Sequence, residues 1–251
     1  MQRIYKTTPQ GELAIHIFEP DTNDQTAAIV FFFGGGWTGG SPQQFFPHCQ
    51  YLSERGMLAA SAEYRIRSKH NTSPYECVED GKSAVRWLRA HADELNIDPN
   101  RIASGGGSAG GHVGACTGTV PGQDAPDEDM AVSSRPNAMV LFNPVVDVIA
   151  LGRLAERFPG DPRAISPLQH VCSNLPPTII FHGTDDTTVP FEQAQRFTKA
   201  MHKAGNTCEL CAYEGKGHGF FNHGRDDGSA YERTVAQMDN FLVQLGYLDP
   251  K

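Results

Sequence analysis

The sequence predicts an α/β fold: a mostly parallel central sheet with helices on both faces. Three observations carry that expectation. Several short segments are almost continuously apolar and bounded by turn residues, as strands covered on both faces must be. The segments between them show helical periodicity with recognisable starts and stops. Strand and helix patterns also alternate along the chain, and right-handed βαβ crossovers then give parallel pairing.

Taken in order, "LAIHIFEP" (13–20) alternates with period two and reads as an antiparallel edge strand. "AAIVFFF" (27–33) and "GMLAASA" (56–62) read as buried strands. Ser73, Pro74 and Glu76 form a capping-box signature, followed by apolar residues at Val78, Val85, Leu88, Ala92 and Leu95. "RIAS" (101–104) is a strand that leads into a helix of small residues, "SAGGHVGACTG". "AMVLF" (138–142) and "TIIF" (178–181) are further strands. A helix from Pro190 carries Phe191, Ala194, Phe197 and Met201 on one face and stops near Gly205. "CELCAYE" is the last strand, and a final helix carries Tyr231, Val235, Met238, Leu242 and Leu245. Residues 119–137 and 143–177 are the least regular. No repeat, linker or composition break interrupts the series, so residues 1–251 read as a single domain.

Composition excludes several function classes. The 251-residue chain has a net charge of −8 with dispersed lysines and arginines, which is not the footprint of a nucleic-acid binder. There is no signal-peptide core or membrane-length apolar run, so the chain as given reads as soluble and cytoplasmic, or periplasmic or secreted if a leader is removed. The six cysteines are scattered, which argues for free thiols over a disulfide framework or a zinc site. Cys208 and Cys211 fall on opposite faces of a strand, which disfavours a redox pair. The acidic stretch "DAPDED" (124–129) reads as a solvated loop.

The chemistry concentrates at "ASGGGSAGGH" (103–112). Glycine inside an element costs about 0.5–1 kcal/mol relative to alanine, so such a cluster implies a backbone shape that side chains would obstruct. Gly106-Gly107-Ser108-Ala109-Gly110 fits G-x-S-x-G between a strand and a helix, a sharp turn that presents a serine. The helix start beneath Ser108 favours negative charge nearby. A phosphate loop would need a following lysine, and none is present.

With these residues the sequence resembles the α/β-hydrolase superfamily, close to its hormone-sensitive-lipase-like and carbohydrate acetyl esterase branch. The resemblance covers nearly the whole chain and implies the α/β-hydrolase fold with a small or absent cap. It places the oxyanion loop in "FFFGGGWTGG", with donors at the N–H groups of Gly35, Gly36 and Ala109. Phe33 stands where the family usually has histidine. The family order of serine, acid and histidine puts the base at His218 in "GKGHGFF". His112 reads as helix packing, His182 as a strand end and His223 as a neighbour able only to bind substrate. "FHGTDDTTVP" resembles the family's acid loop and assigns Asp186, with the adjacent Asp185 as the alternative register.

The resemblance therefore implies a serine carboxylesterase working through Ser108, His218 and Asp186, without a metal or organic cofactor. The expected substrate is a small-molecule or oligosaccharide ester, with a short acyl group, acetyl above all, on a carbohydrate or other bulky polar alcohol. Trp37, Phe220 and Phe221 are candidates for a short acyl wall or a surface on which a sugar stacks. An arylformamidase-type amide hydrolase is the alternative that "GGGW" also fits, and a prolyl-oligopeptidase-like peptidase is a third. A non-catalytic hydrolase-fold protein would usually lack one of the three residues.

Overall fold

The computed structural model describes the backbone of residues 1–251 and the side chains of all but residues 153–155. Eight strands form one sheet: β1 (Gln2–Thr8), β2 (Gly11–Phe18), β3 (Thr26–Phe32), β4 (Leu58–Ala62), β5 (Ile97–Gly107), β6 (Ala138–Phe142), β7 (Thr178–Gly183) and β8 (Cys208–Tyr213). Their spatial order is β1-β2-β4-β3-β5-β6-β7-β8; β1, β2 and β4 pair antiparallel, and every pairing from β4–β3 onward is parallel. Among the described residues six α-helices accompany it: α1 (Phe46–Glu54), α2 (Arg67–His70), α3 (Pro74–Ala90), α4 (Ala109–Thr119), α5 (Phe191–Lys203) and α6 (Ser229–Gln244).

Alternation along the strands supplies packed cores on both faces of the sheet. Ala28, Val30 and Phe32 of β3 pack with Val78, Val85 and Leu88 of α3 and with Val113 of α4. On the opposite face Ile29 and Phe31 pack with Leu52 of α1 and, through Val140 and Phe142, with Met238 and Leu242 of α6. α5 seats Ala194, Phe197 and Met201 against Met139, Leu141 and Ile180. α3 starts where the capping box places it: Ser73 and Glu76 satisfy each other's end of the first turn.

Three expectations are corrected. β2 is not the edge: β1 lies outside it, a strand whose mostly exposed residues give no apolar alternation. β1 is held by backbone pairing and by Lys6, whose Nζ donates to Glu79 and Asp80 at 2.8 Å. β5 also extends beyond "RIAS" through all three glycines, because a Cβ on Gly105 would lie 2.6 Å from the Val140 carbonyl oxygen and 2.8 Å from the Phe31 ring. Finally, "DAPDED" is not simply solvated: Asp124 accepts from Arg86 Nη2 at 2.6 Å, and Glu128 also pairs with Arg86.

Cys208 and Cys211 fall in separate cores on opposite faces of β8. Among the described residues no helix is long and apolar enough to cross a membrane.

Candidate active site

Ser108 sits at the carboxyl end of β5, the end at which open α/β sheets bind ligands. Its φ of 56° and ψ of −118° are unfavourable for a residue with a side chain, and the surroundings enforce them. The Ser108 N–H donates to the Phe142 carbonyl at 2.9 Å, while its own carbonyl accepts the first helical bond, from His112 N. α4 must then pass directly under β3. A Cβ on Gly110 would collide with the carbonyl oxygens of Phe32 and Phe33, so only glycine fits two residues beyond the serine.

His218 lies in the loop after β8, and its Nε2 is 2.9 Å from Ser108 Oγ. Its Nδ1 is 2.7 Å from Asp186 Oδ2. A carboxylate only accepts, so Nδ1 carries the ring proton and Nε2 is left to accept the serine hydroxyl. Asp186 Oδ1 accepts from the N–H groups of Thr188 and Val189, each at 2.9 Å. The other oxygen also lies 3.4 Å from His182 Nε2. Burial alone would raise this carboxyl's pKa, but hydrogen bonds from His182, His218 and the Val189 N–H outweigh it and hold it well below the usual carboxylate range. Asp185 is exposed, and among the described residues its carboxylate accepts only from the neighbouring Thr184 hydroxyl, so the geometry favours Asp186 over Asp185.

Beside Ser108 the loop after β3 turns through Gly35 (φ 132°) and Gly36 (φ 61°). The N–H groups of Gly35, Gly36 and Ala109 donate to no protein group among the described residues, and these three residues line one cavity of about 390 Å³ with Ser108 and His218. Three unpaired donors around a serine hydroxyl can receive an oxyanion. Phe33, in place of the usual histidine, holds this loop differently: its ring stacks on Tyr64 at 4.3 Å, and its carbonyl accepts the Tyr64 hydroxyl at 2.6 Å.

Four supporting residues escaped the sequence reading. Gln44 Oε1 accepts from Gly34 N at 2.6 Å, and Gln44 Nε2 donates to Asn222 Oδ1 at 2.8 Å. Asn222 Nδ2 donates in turn to the Gly219 carbonyl at 2.8 Å, so one chain of hydrogen bonds joins the glycine loop to the histidine loop. Asn143, at the end of β6, accepts from Gly219 N at 3.0 Å. Arg157 Nη1 donates to the Gly36 carbonyl at 2.8 Å. These are ordinary polar residues far apart in the chain, and no local motif marks them.

The aromatic candidates are rearranged. Phe220 turns into the core against Tyr213 and does not line the cavity; its neighbour Phe221 does. Trp37 reaches the wall but is only 2 % exposed, packed edge-on against His112 and Phe158. Its Nε1 donates to His112 Nδ1 at 3.2 Å, and His112 Nε2 donates to the Ile165 carbonyl at 2.6 Å. Burial pushes His112 down to about 4, so it stays neutral in this structural role. His182 is buried beside Asp186, and His223 is exposed against Tyr231. Among the described residues no group of three or more His, Cys, Asp or Glu side chains is placed to hold a metal ion.

A second, shallower groove of about 670 Å³ lies at the amino ends of β6 and β7, lined by Asn137 and Pro177, at the opposite end of the strands from Ser108. Strand topology and chemistry both favour the smaller cavity.

A family model described as BD-FAE matches residues 15–159, more than half of the chain. The chain belongs to the BD-FAE family. The match contains the glycine loop and Ser108, and a dienelactone hydrolase family model covers residues 147–246, with Asp186 and His218. Structures of Thermogutta terrifontis esterase 2 share the α/β-hydrolase fold of this BD-FAE chain. The apo form matches at a TM-score of 0.97 with 51 % identity over 100 % of this chain and 96 % of that one. The propionate-bound form matches at 0.96 with 50 % identity and the same coverage. Esterase LipC of Mycobacterium tuberculosis is 27 % identical over 86 % of this chain and 58 % of its own length. The acetylxylan esterase of Xylanibacter ruminicola is 30 % identical over 84 % and 44 % respectively. The chain spans about half the length of the curated relatives it matches.

Proposed function

We propose that this chain, acting as one hydrolase domain, cleaves short-chain carboxylic esters by acyl transfer through Ser108. The observation that carries the reading is His218 bridging Ser108 Oγ and Asp186 Oδ2 at 2.9 and 2.7 Å. Ser108 Oγ attacks the ester carbonyl while His218 Nε2 takes its proton. Asp186 holds the opposite ring nitrogen protonated and stabilises the imidazolium. The N–H groups of Gly35, Gly36 and Ala109 receive the developing oxyanion, each worth about 2.7–4 kcal/mol in the transition state. His218 returns the proton to the departing alcohol, and an acyl-enzyme remains. Water then attacks the acyl carbon, His218 takes the water's proton and passes it to Ser108 Oγ, and the free acid leaves.

A short acyl group is favoured because a cavity of about 390 Å³ is near the small end of ligand sites, which run to roughly 1,000 Å³. Each methylene that it leaves in water forgoes about 0.8 kcal/mol, so the roughly fourfold gain in kcat/KM that burial of that group would bring is not realised. Thermogutta esterase 2 has been solved with propionate and with butyrate bound, which supports the same range. For the alcohol, the Xylanibacter acetylxylan esterase supports a carbohydrate. Trp37 is buried and Phe220 faces the core, so neither offers a sugar the exposed stacking surface expected of it.

The test is kcat/KM across 4-nitrophenyl esters from acetate to dodecanoate, with N-formyl anilides and acetylated oligosaccharides in parallel. A maximum at or below four carbons is expected. A maximum at eight carbons or more rejects the short-acyl reading, and faster turnover of the formyl amides moves the protein to the amide hydrolases.

A further inference from the structure

The cavity around Ser108 is charged in a way that hydrolysis alone does not require. Its lining contains two arginines, Arg157 and Arg225, and no aspartate or glutamate, although the chain as a whole carries a net charge of −8. Both guanidinium groups border the loops that surround the serine. Arg157 Nη1 is tied to the Gly36 carbonyl, and its remaining N–H donors bond to nothing among the described residues. Arg225 leans over the histidine loop: its Nη1 would stand 3.5 Å from a Cβ placed on Gly219. The acids that follow it in the chain are engaged elsewhere, Asp226 with Lys216 at 3.5 Å and Asp227 with the Ser229 hydroxyl at 2.7 Å. Among the described residues neither arginine has a carboxylate partner.

A guanidinium offers a fixed fork of donors that matches a carboxylate, and a site lined by one sign of charge concentrates the opposite sign. Building upon the esterase reading, we infer that the preferred substrates are esters bearing a carboxylate, which Arg225 and the free edge of Arg157 bind while Ser108 attacks the ester carbonyl. Arg225 lies beside Gly219, the residue next to His218, and because His218 is the group that protonates the departing alcohol, a carboxylate on the alcohol is the arrangement assigned to it.

Two matched pairs test this. 4-Acetoxybenzoate and 4-acetoxybenzamide differ in charge on the alcohol; mono-4-nitrophenyl adipate and 4-nitrophenyl hexanoate differ in charge on the acyl group. The readout is the anionic-to-neutral ratio of kcat/KM within a pair, which a merely structural role would not move. The expected ratio is well above one in at least the first pair and falls as salt is raised to 0.5 M on the order of the screening expected there. Arg225→Gln and Arg157→Gln should each lower it about tenfold, the loss expected for one charge-assisted hydrogen bond, with Arg225→Lys retaining part of the preference. Ratios at or below one in both pairs, or ratios unchanged in both Gln variants, overturn the inference while hydrolysis of the neutral esters leaves the esterase reading standing. Failure to hydrolyse any ester overturns both.

Discussion

Replacing Asp186 by asparagine should leave the fold in place and remove most of the activity. Oδ1 still accepts from Thr188 and Val189, but an amide NH₂ replaces the oxygen that faces His218 and His182. Two donors then confront each other, so the His218 ring turns to the other tautomer and Nε2 can no longer accept the Ser108 proton. The imidazolium formed during attack also loses its counter-charge. At the observed 2.7 Å and an effective dielectric of about 20 that attraction is about 6 kcal/mol, falling to about 4 kcal/mol if the charges are centred 4 Å apart. The corresponding fall in kcat is roughly 10³- to 2.5 × 10⁴-fold. Steady-state hydrolysis of 4-nitrophenyl acetate at pH 7.5, with circular dichroism to verify folding, measures it. Asp185→Asn, at an exposed position, is the control and should change kcat by less than about threefold. A larger loss in Asp185→Asn than in Asp186→Asn would move the acid by one residue, and a loss under about tenfold in a folded Asp186→Asn would refute the electrostatic argument.

Two further predictions concern the shell of the site. His48 is fully buried among Phe31, Phe45, Phe142 and Phe221 with both ring nitrogens unpaired, so His48→Phe should raise stability by about 1–3 kcal/mol at pH 7, read from urea midpoints. Burial pushes His48 down to about 3, so between pH 6.5 and that value the unfolded chain takes up a proton that the folded one does not, and stability is lost as pH falls. The variant's advantage should therefore grow by about 2 kcal/mol from pH 7 to pH 5, and equal pH slopes would contradict the burial argument. Gln44→Ala should break the hydrogen-bond chain between Gly34 and Asn222 and lower kcat about tenfold or more with little change in KM. An unchanged kcat would show that the two loops hold their positions without it.

How far the sequence could be read depended on what holds each part together. β6 was legible to the residue, because a strand covered on both faces must be apolar at every position. α3 announced its start through Ser73 and Glu76, a contact between near neighbours. β1 was not legible because its hold is backbone pairing and the reach of Lys6 to Asp80, which no apolar periodicity records. Gly105 fell outside the strand read as "RIAS"; its reason is the bulk of Phe31 and the nearness of the Val140 carbonyl, on neighbouring strands. At the site, Ser108, Asp186 and His218 each stand in a recognisable local motif, and the structure brings them into one hydrogen-bonded line. Gln44, Asn143 and Arg157 act on segments far away in the chain, so their placement exists only once the loops are folded. Phe220 and Phe221 show a different limit, since adjacent residues face apart and the sequence alone gives no reason to choose which of them meets the cavity.

The proposed acylation of Ser108 has a direct chemical surrogate in paraoxon, which phosphorylates Thermogutta esterase 2. Intact-protein and peptide mass spectrometry after paraoxon treatment should find one diethylphosphoryl group, located on Ser108, with ester hydrolysis lost in step and no adduct on Ser108→Ala. An adduct on another residue that accompanies the loss of activity, or a Ser108→Ala variant that hydrolyses 4-nitrophenyl acetate at near the native rate, would contradict Ser108 as the nucleophile.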